Sequence, residues 1–156
     1  MRIITAFALS LVVLFTFSVA AQRGGGQPQP SITQTTIVTA ADVAARTAGG
    51  NPIRLSPYNV NMELRNMGQA ASVHETEAEL FYVIEGAGTL VTGGKLIEER
   101  RTNPENLSGT GIQGGVSRRV AKGDWILVPA GEPHQYPAVE AGGLRLMSMH
   151  LPKKVG

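Results

Sequence analysis

Residues 123–134 constrain the fold of this chain more than any other segment. They read Gly-Asp-Trp-Ile-Leu-Val-Pro-Ala-Gly-Glu-Pro-His. An apolar run over residues 125–128 ends at Pro129, which cannot donate to a strand ladder, and Gly131 follows in a turn. His134 comes three residues after that glycine. This spacing places an imidazole at the edge of a rigid strand, where it can point into the mouth of a β-barrel.

A second segment, residues 68–86, offers two further groups that bind metals. His74 and Glu79 lie between Gly68 and Gly86, and Glu79 begins a run rich in apolar residues. Hard or borderline divalent ions accept imidazole nitrogens and carboxylate oxygens. His74, Glu79 and His134 therefore predict a metal site with two nitrogen ligands and one oxygen ligand. Such a set fills one face of an octahedron and leaves positions open for catalysis.

Most of the chain beyond residue 50 shows the pattern of short strands separated by glycine-rich turns. Alternation of apolar and polar residues over 58–65 predicts a half-buried strand. Further strands are predicted at residues 79–85, 116–121, 125–128, 134–136 and 144–151. Many short strands of this kind favour a sandwich or a barrel.

Four other segments carry local signals. Residues 89–98 predict a hairpin that turns at a Gly-Gly pair, and residues 103–115, rich in Gly, Pro and Asn, predict a loop. Residues 32–38 predict an edge strand. Residues 39–48 predict one short helix, capped by Thr39 and ended by two glycines.

The first twenty-one residues are expected to be a secretory signal peptide. Arg2 precedes an apolar run over residues 3–19, and small residues follow at the cleavage site. An uncleaved membrane anchor is the alternative, but the run is shorter than the about 20 residues that a span needs. Residues 22–31 predict a flexible linker, which leaves 32–156 as one domain. We expect an exported protein, periplasmic or secreted, with no stable membrane anchor after cleavage.

The composition excludes several functional classes. The 156 residues carry 14 basic and 12 acidic side chains, scattered without a basic stripe, so we expect no nucleic-acid partner. The absence of cysteine excludes thiolate ligands and cysteine nucleophiles. An exported fold without disulfides must rest on a hydrophobic core.

The downstream segment resembles the second motif of the cupin superfamily. That motif places a glycine, five residues, Pro-x-Gly, two residues and then a histidine. Gly123, Pro129, Gly131 and His134 fall in this register. The family often adds an asparagine four residues after the histidine, and here Ala138 stands in its place.

The upstream segment resembles the first cupin motif in part. That motif contains His-x-His, three or four residues and then Glu, between two glycines that fit here. If His74 is the second histidine, its spacing to Glu79 fits and Ser72 occupies the first position. If His74 is the first, Thr76 occupies the second position and the spacing is one residue short. We favour the former, because the run from Glu79 resembles the cupin strand in fixed register.

The resemblance covers residues 55–151 and implies a fold and a ligand set. It implies an all-β class, namely a double-stranded β-helix (the cupin jelly-roll barrel), here with one short N-terminal helix. His74, Glu79 and His134 match cupin metal ligands, and the fourth falls on Ser72, a weak ligand. The ion implied is divalent iron, manganese, nickel or zinc.

Strand alternation suggests which other side chains reach the pocket. Tyr136 shares a face with His134, and Phe81 shares a face with Glu79. The opposite face around Tyr82 is also apolar and needs cover from another sheet or a partner subunit. Because cupins often dimerise, we expect a homodimer. Trp125 is predicted in the core or at an interface.

His150 and two acidic residues allow more than one interpretation. His150 shares a strand face with Leu144 and Leu146, and would point inward if they do. It could then replace the missing ligand or carry protons, whereas the alternative is a hydrogen-bonded histidine near the chain end. Tyr136 and His150 are the predicted catalytic residues. Glu75 and Glu77 are predicted to be solvated.

Three functions remain open at this stage. The first is an exported metal-dependent enzyme of dioxygenase, decarboxylase, lyase or isomerase type that acts on a small oxygenated substrate. The second is a non-catalytic module that binds a small-molecule ligand beside a degenerate metal site. The third is a structural or assembly role, which would leave the pocket collapsed.

Overall fold

Strands dominate the computed structural model, which describes residues 35–55 and 58–152. One helix, α1 (Ala40–Ala45), precedes the strands. The strands are β1 (Gly50–Leu55), β2 (Tyr58–Arg65), β3 (Ala71–His74), β4 (Glu77–Thr92), β5 (Lys95–Ile97), β6 (Arg100–Asn103), β7 (Asn106–Gly109), β8 (Gly111–Gln113), β9 (Val116–Ala121), β10 (Trp125–Val128) and β11 (His134–Pro152). The predicted all-β class with one short N-terminal helix is confirmed.

The two ends of the chain lie outside this description. The signal peptide predicted at 1–21 and the linker predicted at 22–31 fall on residues that the structure does not describe. Both therefore stay predictions. Within 35–55 and 58–152, α1 is far too short to cross a bilayer, and no other helix has the length and apolar character to do so.

The antiparallel pair of long strands, β4 and β11, organises the barrel. Its register places His134 opposite Thr92 at one end and Pro152 opposite Glu77 at the other. The free edge of β4 pairs with β10 and then with β9, while that of β11 pairs with β3 and then with β2. Each long strand therefore joins two shorter ones, and the sheet curls around a shared interior.

Glycines allow the two long strands to approach closely where their register shifts. One of the three register shifts along this pair falls between Val139 and Leu144 of β11. Opposite it, Gly86 has a φ of 82°, and a Cβ atom there would collide with the carbonyl oxygen of Gly143. A glycine is thus required at position 86 for two reasons: the backbone has a positive φ, and the adjacent strand β11 leaves no room for a side chain.

The core lies between β4, β11 and their partners. Alternate residues of β4 point inward, so Glu79, Phe81 and Val83 share the buried face, as the sequence predicts. The Phe81 ring packs edge-to-face on Tyr136, with ring centroids 5.7 Å apart. Leu144 and Leu146 are fully buried beside them. The leucine face of β11 therefore does point inward, which is the condition for His150 to do the same.

The predicted helix is present but shorter than predicted. Thr39 caps it: its hydroxyl accepts from the Asp42 backbone N–H at 3.2 Å, and the Asp42 carboxylate accepts from the Thr39 N–H at 2.9 Å. The helix ends at Ala45, before the predicted end at 48. Val43 of α1 helps line an apolar pocket on the outer face of β4 with Tyr82. The N-terminal elements of the same chain thus supply part of the cover that this face needs.

Two local predictions in the middle of the chain are wrong. Residues 89–98 do not form a hairpin, because β4 continues beside β9 while β5 pairs with β8. Residues 103–115 are not a loop, because they contain the whole of β7 and of β8. Partners distant in sequence decide these strands, and local composition does not reveal them.

Two further predictions need correction. Residues 35–38, the described part of the predicted edge strand at 32–38, are not in a strand. Trp125 is not in the core: it is 64% exposed and its ring lies 4.7 Å from that of Tyr82 on the outer face. Its alternative location at an interface stays a prediction. The strands predicted at 134–136 and 144–151 are parts of the single strand β11.

The Gly86→Ala substitution is expected to lower the free energy of unfolding by about 1–3 kcal/mol more than Gly123→Ala does. Both glycines have positive φ, 82° and 96°, so both substitutions carry a backbone strain of about 1–2 kcal/mol. Only the methyl group at 86 also meets backbone atoms, since nothing lies within 4 Å of the corresponding position at 123. Urea unfolding measures the difference. Equal losses would contradict the close approach of β4 and β11.

Candidate metal centre

The three predicted ligands come together inside the barrel. His74 ends β3, Glu79 lies near the start of β4 and His134 begins β11. Oε2 of Glu79 lies 3.3 Å from Nε2 of His74 and 3.2 Å from Nε2 of His134. The three ligand atoms all lie within 4.8 Å of one another.

Strand pairing explains why these side chains meet. His134 pairs with Ser72, and His74 lies two residues further along β3, on the same face. Glu79 occupies the position on β4 between Val128 of β10 and His150 of β11. The three strands thus deliver their side chains to one point from three directions.

In each of the two candidate ligand histidines, Nδ1 contacts an oxygen atom on the side of the ring away from Glu79. Nδ1 of His74 donates to Oδ1 of Asn106, on β7, at 2.7 Å, and Nδ1 of His134 lies 3.3 Å from the carbonyl oxygen of Glu132. With its Nδ1–H bonded to one of these oxygens, each ring turns Nε2 toward Glu79, where Nε2 donates to the carboxylate while protonated and can bind a metal once that proton leaves. Both Nε2 atoms face Glu79. The site is thus pre-oriented for coordination by Nε2.

The carboxylate of Glu79 stays ionised although it is buried. It is only 5% exposed, and burial alone would raise its pKa. Hydrogen bonds from His134 and His74 outweigh burial and lower the pKa of Glu79 to about 2. The same contact with Glu79 raises the pKa of His74 above 6.5, against the opposing effect of burial. The group available to a cation is therefore a full carboxylate.

The donor set fits a divalent transition metal. Two ligand atoms that each lie about 2.1 Å from an ion, with a ligand–ion–ligand angle of about 90°, are about 3 Å apart. The separations of 3.2 and 3.3 Å between Glu79 and the two histidines match this value. Two imidazoles and one carboxylate suit iron, manganese, nickel or zinc and do not discriminate among them.

His150 also faces this cluster. Its Nε2 lies 3.6 Å from Oε1 of Glu79, and its ring packs edge-on against that of His74 with centroids 4.6 Å apart. Its Nδ1 lies 3.1 Å from Oε2 of Glu77, although the two are not aligned for a hydrogen bond. Glu77, predicted to be solvated, is half-buried, with 34% of its side chain exposed, and it faces His150. Glu75 pairs with Arg101 at the surface.

A cavity of about 290 Å³ opens beside the three ligands. Tyr136 lines it, as predicted, and is fully buried. The Tyr136 hydroxyl has no hydrogen-bond partner within the described ranges, and burial raises the pKa of this phenol well above its usual range. Ser72 also lines the cavity and offers a neutral hydroxyl. The cavity is open, unlike the collapsed pocket expected of a purely structural role.

Sequence reasoning missed two charged residues in this cavity, Glu63 and Arg65. The alternation along β2 gave no sign that its polar face looks inward, yet both line the cavity. Nε and Nη2 of Arg65 donate to Oε2 of Glu63 at 3.1 and 2.6 Å. The guanidinium lies 4.4 Å from the centroid of the Tyr136 ring. A charged pair inside a barrel is expensive to bury, so its position beside the candidate metal site points to a functional role.

Sequence reasoning also missed Asn106. It falls in the segment predicted as a loop, and its only signal is its residue type. The pairing of β3 with β7 sets it opposite His74. That pairing joins residues 32 positions apart, so no local pattern reveals it.

Solved structures with a similar fold include one that is described as a cupin protein. The protein BH2720 of Bacillus halodurans superposes with a TM-score of 0.57 at 19% identity, over 80% of this chain and 86% of that one. A cupin protein of Bacteroides fragilis, BF4112, gives 0.50 at 13% identity, over 79% and 86%. Hydroquinone 1,2-dioxygenase PnpCD, in complex with Cd²⁺ and 4-hydroxybenzonitrile, gives 0.50 at 14% identity, over 65% of this chain and 61% of that chain.

Identities this low establish the fold alone. No protein-family model and no curated protein matches the sequence. The strand order, the glycine positions of the two motifs and these structural neighbours agree on one architecture. The protein is a cupin in fold.

Proposed function

We propose that the protein is an exported metal-dependent enzyme that binds one divalent ion through His74, Glu79 and His134 and transforms a small oxygenated substrate. One observation carries this proposal. The Nε2 atoms of His74 and His134 both lie close to Oε2 of Glu79. The Nδ1 atom of each ring contacts an oxygen, which belongs to Asn106 for His74 and to Glu132 for His134. Three protein ligands leave coordination positions open, as catalytic sites do and closed structural sites do not.

A bound divalent ion would supply Lewis acidity, which polarises a substrate oxygen or ionises a bound water. The dioxygenase, decarboxylase, lyase and isomerase types of reaction can all use this property. The chain's own groups would orient the substrate and handle protons. Tyr136 keeps its proton at neutral pH, because burial raises its pKa, and so acts as a hydrogen-bond donor. His150, between Glu77 and Glu79, is placed to move a proton beside the ligands.

A non-catalytic binding module is the second candidate function. The observation that favours it is the polar cavity itself, where Arg65 and Tyr136 can hold a ligand whether or not a metal is present. Ser72, where the cupin pattern has a fourth metal ligand, also favours this function. The two candidates differ in turnover. An enzyme converts a bound substrate in a metal-dependent way, whereas a module returns it unchanged.

A homodimer remains part of the proposal. Trp125 and Leu127 are 64% and 58% exposed on the outer face of β10. Large apolar side chains exposed side by side support an interface. Light scattering coupled to gel filtration measures the oligomeric state directly.

The Glu79→Gln substitution is expected to abolish tight metal binding. It keeps the side-chain shape but removes the charge and one ligand. The loss should exceed the about 10- to 100-fold that removal of an outer-shell partner costs. Titration calorimetry with Mn²⁺, Fe²⁺, Ni²⁺ and Zn²⁺, together with metal analysis of protein purified without chelators, measures it. His134→Ala should behave in the same way.

Glu75→Gln is the matched control for this experiment. Glu75 lies four residues from Glu79 and pairs with Arg101, with 36% of its side chain exposed. Its loss should leave metal affinity unchanged. Equal affinity in the wild type and the Glu79→Gln variant, or no binding of any of the four ions to the wild type, would overturn the metalloenzyme proposal.

The Asn106→Ala substitution is expected to weaken metal binding by about 10- to 100-fold. The amide oxygen fixes the proton of His74 on Nδ1, so its loss frees the ring to rotate and to change tautomer. Asn51→Ala serves as the control, because Asn51 is exposed and its side-chain amide bonds to Asn61. An affinity that stays within twofold of the wild type would show that His74 needs no support from β7.

Metal affinity is expected to fall as the pH falls. A metal must displace the proton on Nε2 of each ligand histidine. Because contact with Glu79 raises the pKa of His74 above 6.5, proton competition begins at a higher pH than for a free imidazole. Calorimetric titrations at several pH values between 8 and 5.5 should therefore give an affinity that is highest at the alkaline end. A flat profile would exclude His74 as a ligand.

A further inference from the structure

Arg65 is held in a fixed orientation inside the cavity. Its side chain is only 14% exposed, and its Nε and Nη2 both donate to Oε2 of Glu63. The other carboxylate oxygen of Glu63 accepts from the hydroxyl of Ser148. The Tyr136 ring covers one face of the guanidinium. Glu63 and Tyr136 thus position the cation, and the bonds to Glu63 leave its Nη1 group for another acceptor.

The hydroxyl of Tyr136 also lacks an acceptor. The residue is fully buried, and none of the described residues makes a hydrogen bond to this oxygen. A buried hydroxyl without a partner is unfavourable, and in a native protein it needs an explanation. Tyr136 lines the same cavity as Arg65 and the three candidate ligands. A ligand in the cavity would supply the acceptor.

The charged end of the cavity around Arg65 offers hydrogen-bond donors without acceptors. The two carboxylates of the cavity are already used, Glu63 by Arg65 and Ser148, and Glu79 by imidazoles. Nη1 of Arg65 and the buried hydroxyl of Tyr136 are donors that have no acceptor among the described residues. Gln69, Ser72 and Gln135 also line the cavity, and their neutral side chains can both donate and accept. A divalent ion at the three ligands would add positive charge beside them. A small organic anion with several acceptor oxygens matches these donors.

We propose that Arg65 and Tyr136 form a carboxylate-binding subsite beside the metal centre, so that the substrate is a small carboxylic acid with a second oxygen. The carboxylate accepts from Nη1 of Arg65 and from the Tyr136 hydroxyl, and the second oxygen faces His74, Glu79 and His134. Glu63 is a positioning residue that holds the guanidinium. This inference takes only the presence of the metal from the proposed function. The cavity volume of about 290 Å³ sets the size of the ligand.

Two matched probes test the charge requirement. Glycolate has a carboxylate and a hydroxyl, and glycolamide has the same shape without the charge. Their dissociation constants are measured by calorimetry and by NMR, on the metal-loaded and on the metal-free protein. The quantity of interest is the preference for glycolate over glycolamide. A metal ion alone also prefers glycolate, so the part of the preference that depends on Arg65 is decisive.

Arg65→Met is expected to reduce this preference by about tenfold, because it removes a charge-assisted hydrogen bond. Arg145→Met is the matched control. Arg145 is 17% exposed and pairs with Glu85 as Arg65 pairs with Glu63, but it does not line the cavity. The control should keep the full preference. Metal affinity should stay within twofold in both variants, which reports an intact ligand set.

Tyr136→Phe is the second variant and guards against a folding defect at Arg65. It should weaken glycolate binding several-fold while leaving the resistance to urea unchanged or increased, because it removes a buried hydroxyl that has no partner. A merely structural hydroxyl would give the opposite result, lower stability with unchanged binding.

The outcomes separate the two proposals. Loss of the preference in Arg65→Met with normal metal binding supports both. An unchanged preference in Arg65→Met, or equal binding of the two probes to the wild type, overturns the subsite. If no metal binds but the metal-free protein still prefers glycolate through Arg65, the enzyme proposal fails and the carboxylate subsite stands.

Discussion

The buried carboxylate of Glu79 sets the condition that the rest of the site must meet. An ionised carboxylate within a barrel is unfavourable unless hydrogen-bond donors surround it. Glu79 shares its strand face with Phe81 and Val83, which are fully buried. The donors must therefore come from other strands, and β3 and β11 deliver them as His74 and His134. The strand pairings that close the barrel therefore also position the donors that stabilise the buried charge of Glu79.

The interior holds two polar clusters, one around Glu79 and one around Glu63, and both approach the ring of Phe81. The centroid of that ring lies 6.3 Å from the centroid of His134 and 5.6 Å from the guanidinium of Arg65. Each cluster balances its own charge, Glu79 with imidazoles and Glu63 with Arg65. The cavity therefore has two chemically different ends. A ligand that reaches both must carry two polar groups.

The sequence predicted the elements whose signals are local. Glycine and proline spacing in residues 123–134 placed His134 correctly, and strand alternation put Glu79 and Phe81 on one buried face. The signals failed where long-range pairing decides. Asn106 reaches His74 only because β7 pairs with β3, and Arg65 faces inward only because β2 joins β11. An alternating strand has two faces, and its own sequence does not state which of them the barrel encloses.

The role of His150 follows from which oxygen of Glu79 each histidine contacts. His74 and His134 approach Oε2, whereas His150 approaches Oε1 at 3.6 Å. The contacts of Oε2 with His74 and His134 set the orientation of the carboxylate before any ligand arrives, and His150 lies beside the other oxygen. Ser72 on β3 supplies only a neutral hydroxyl, and β11 supplies a third imidazole through the pairing of His150 with Glu79. Three imidazoles therefore surround the carboxylate of Glu79. The third comes from β11, whereas the matching cupin position on β3 holds Ser72.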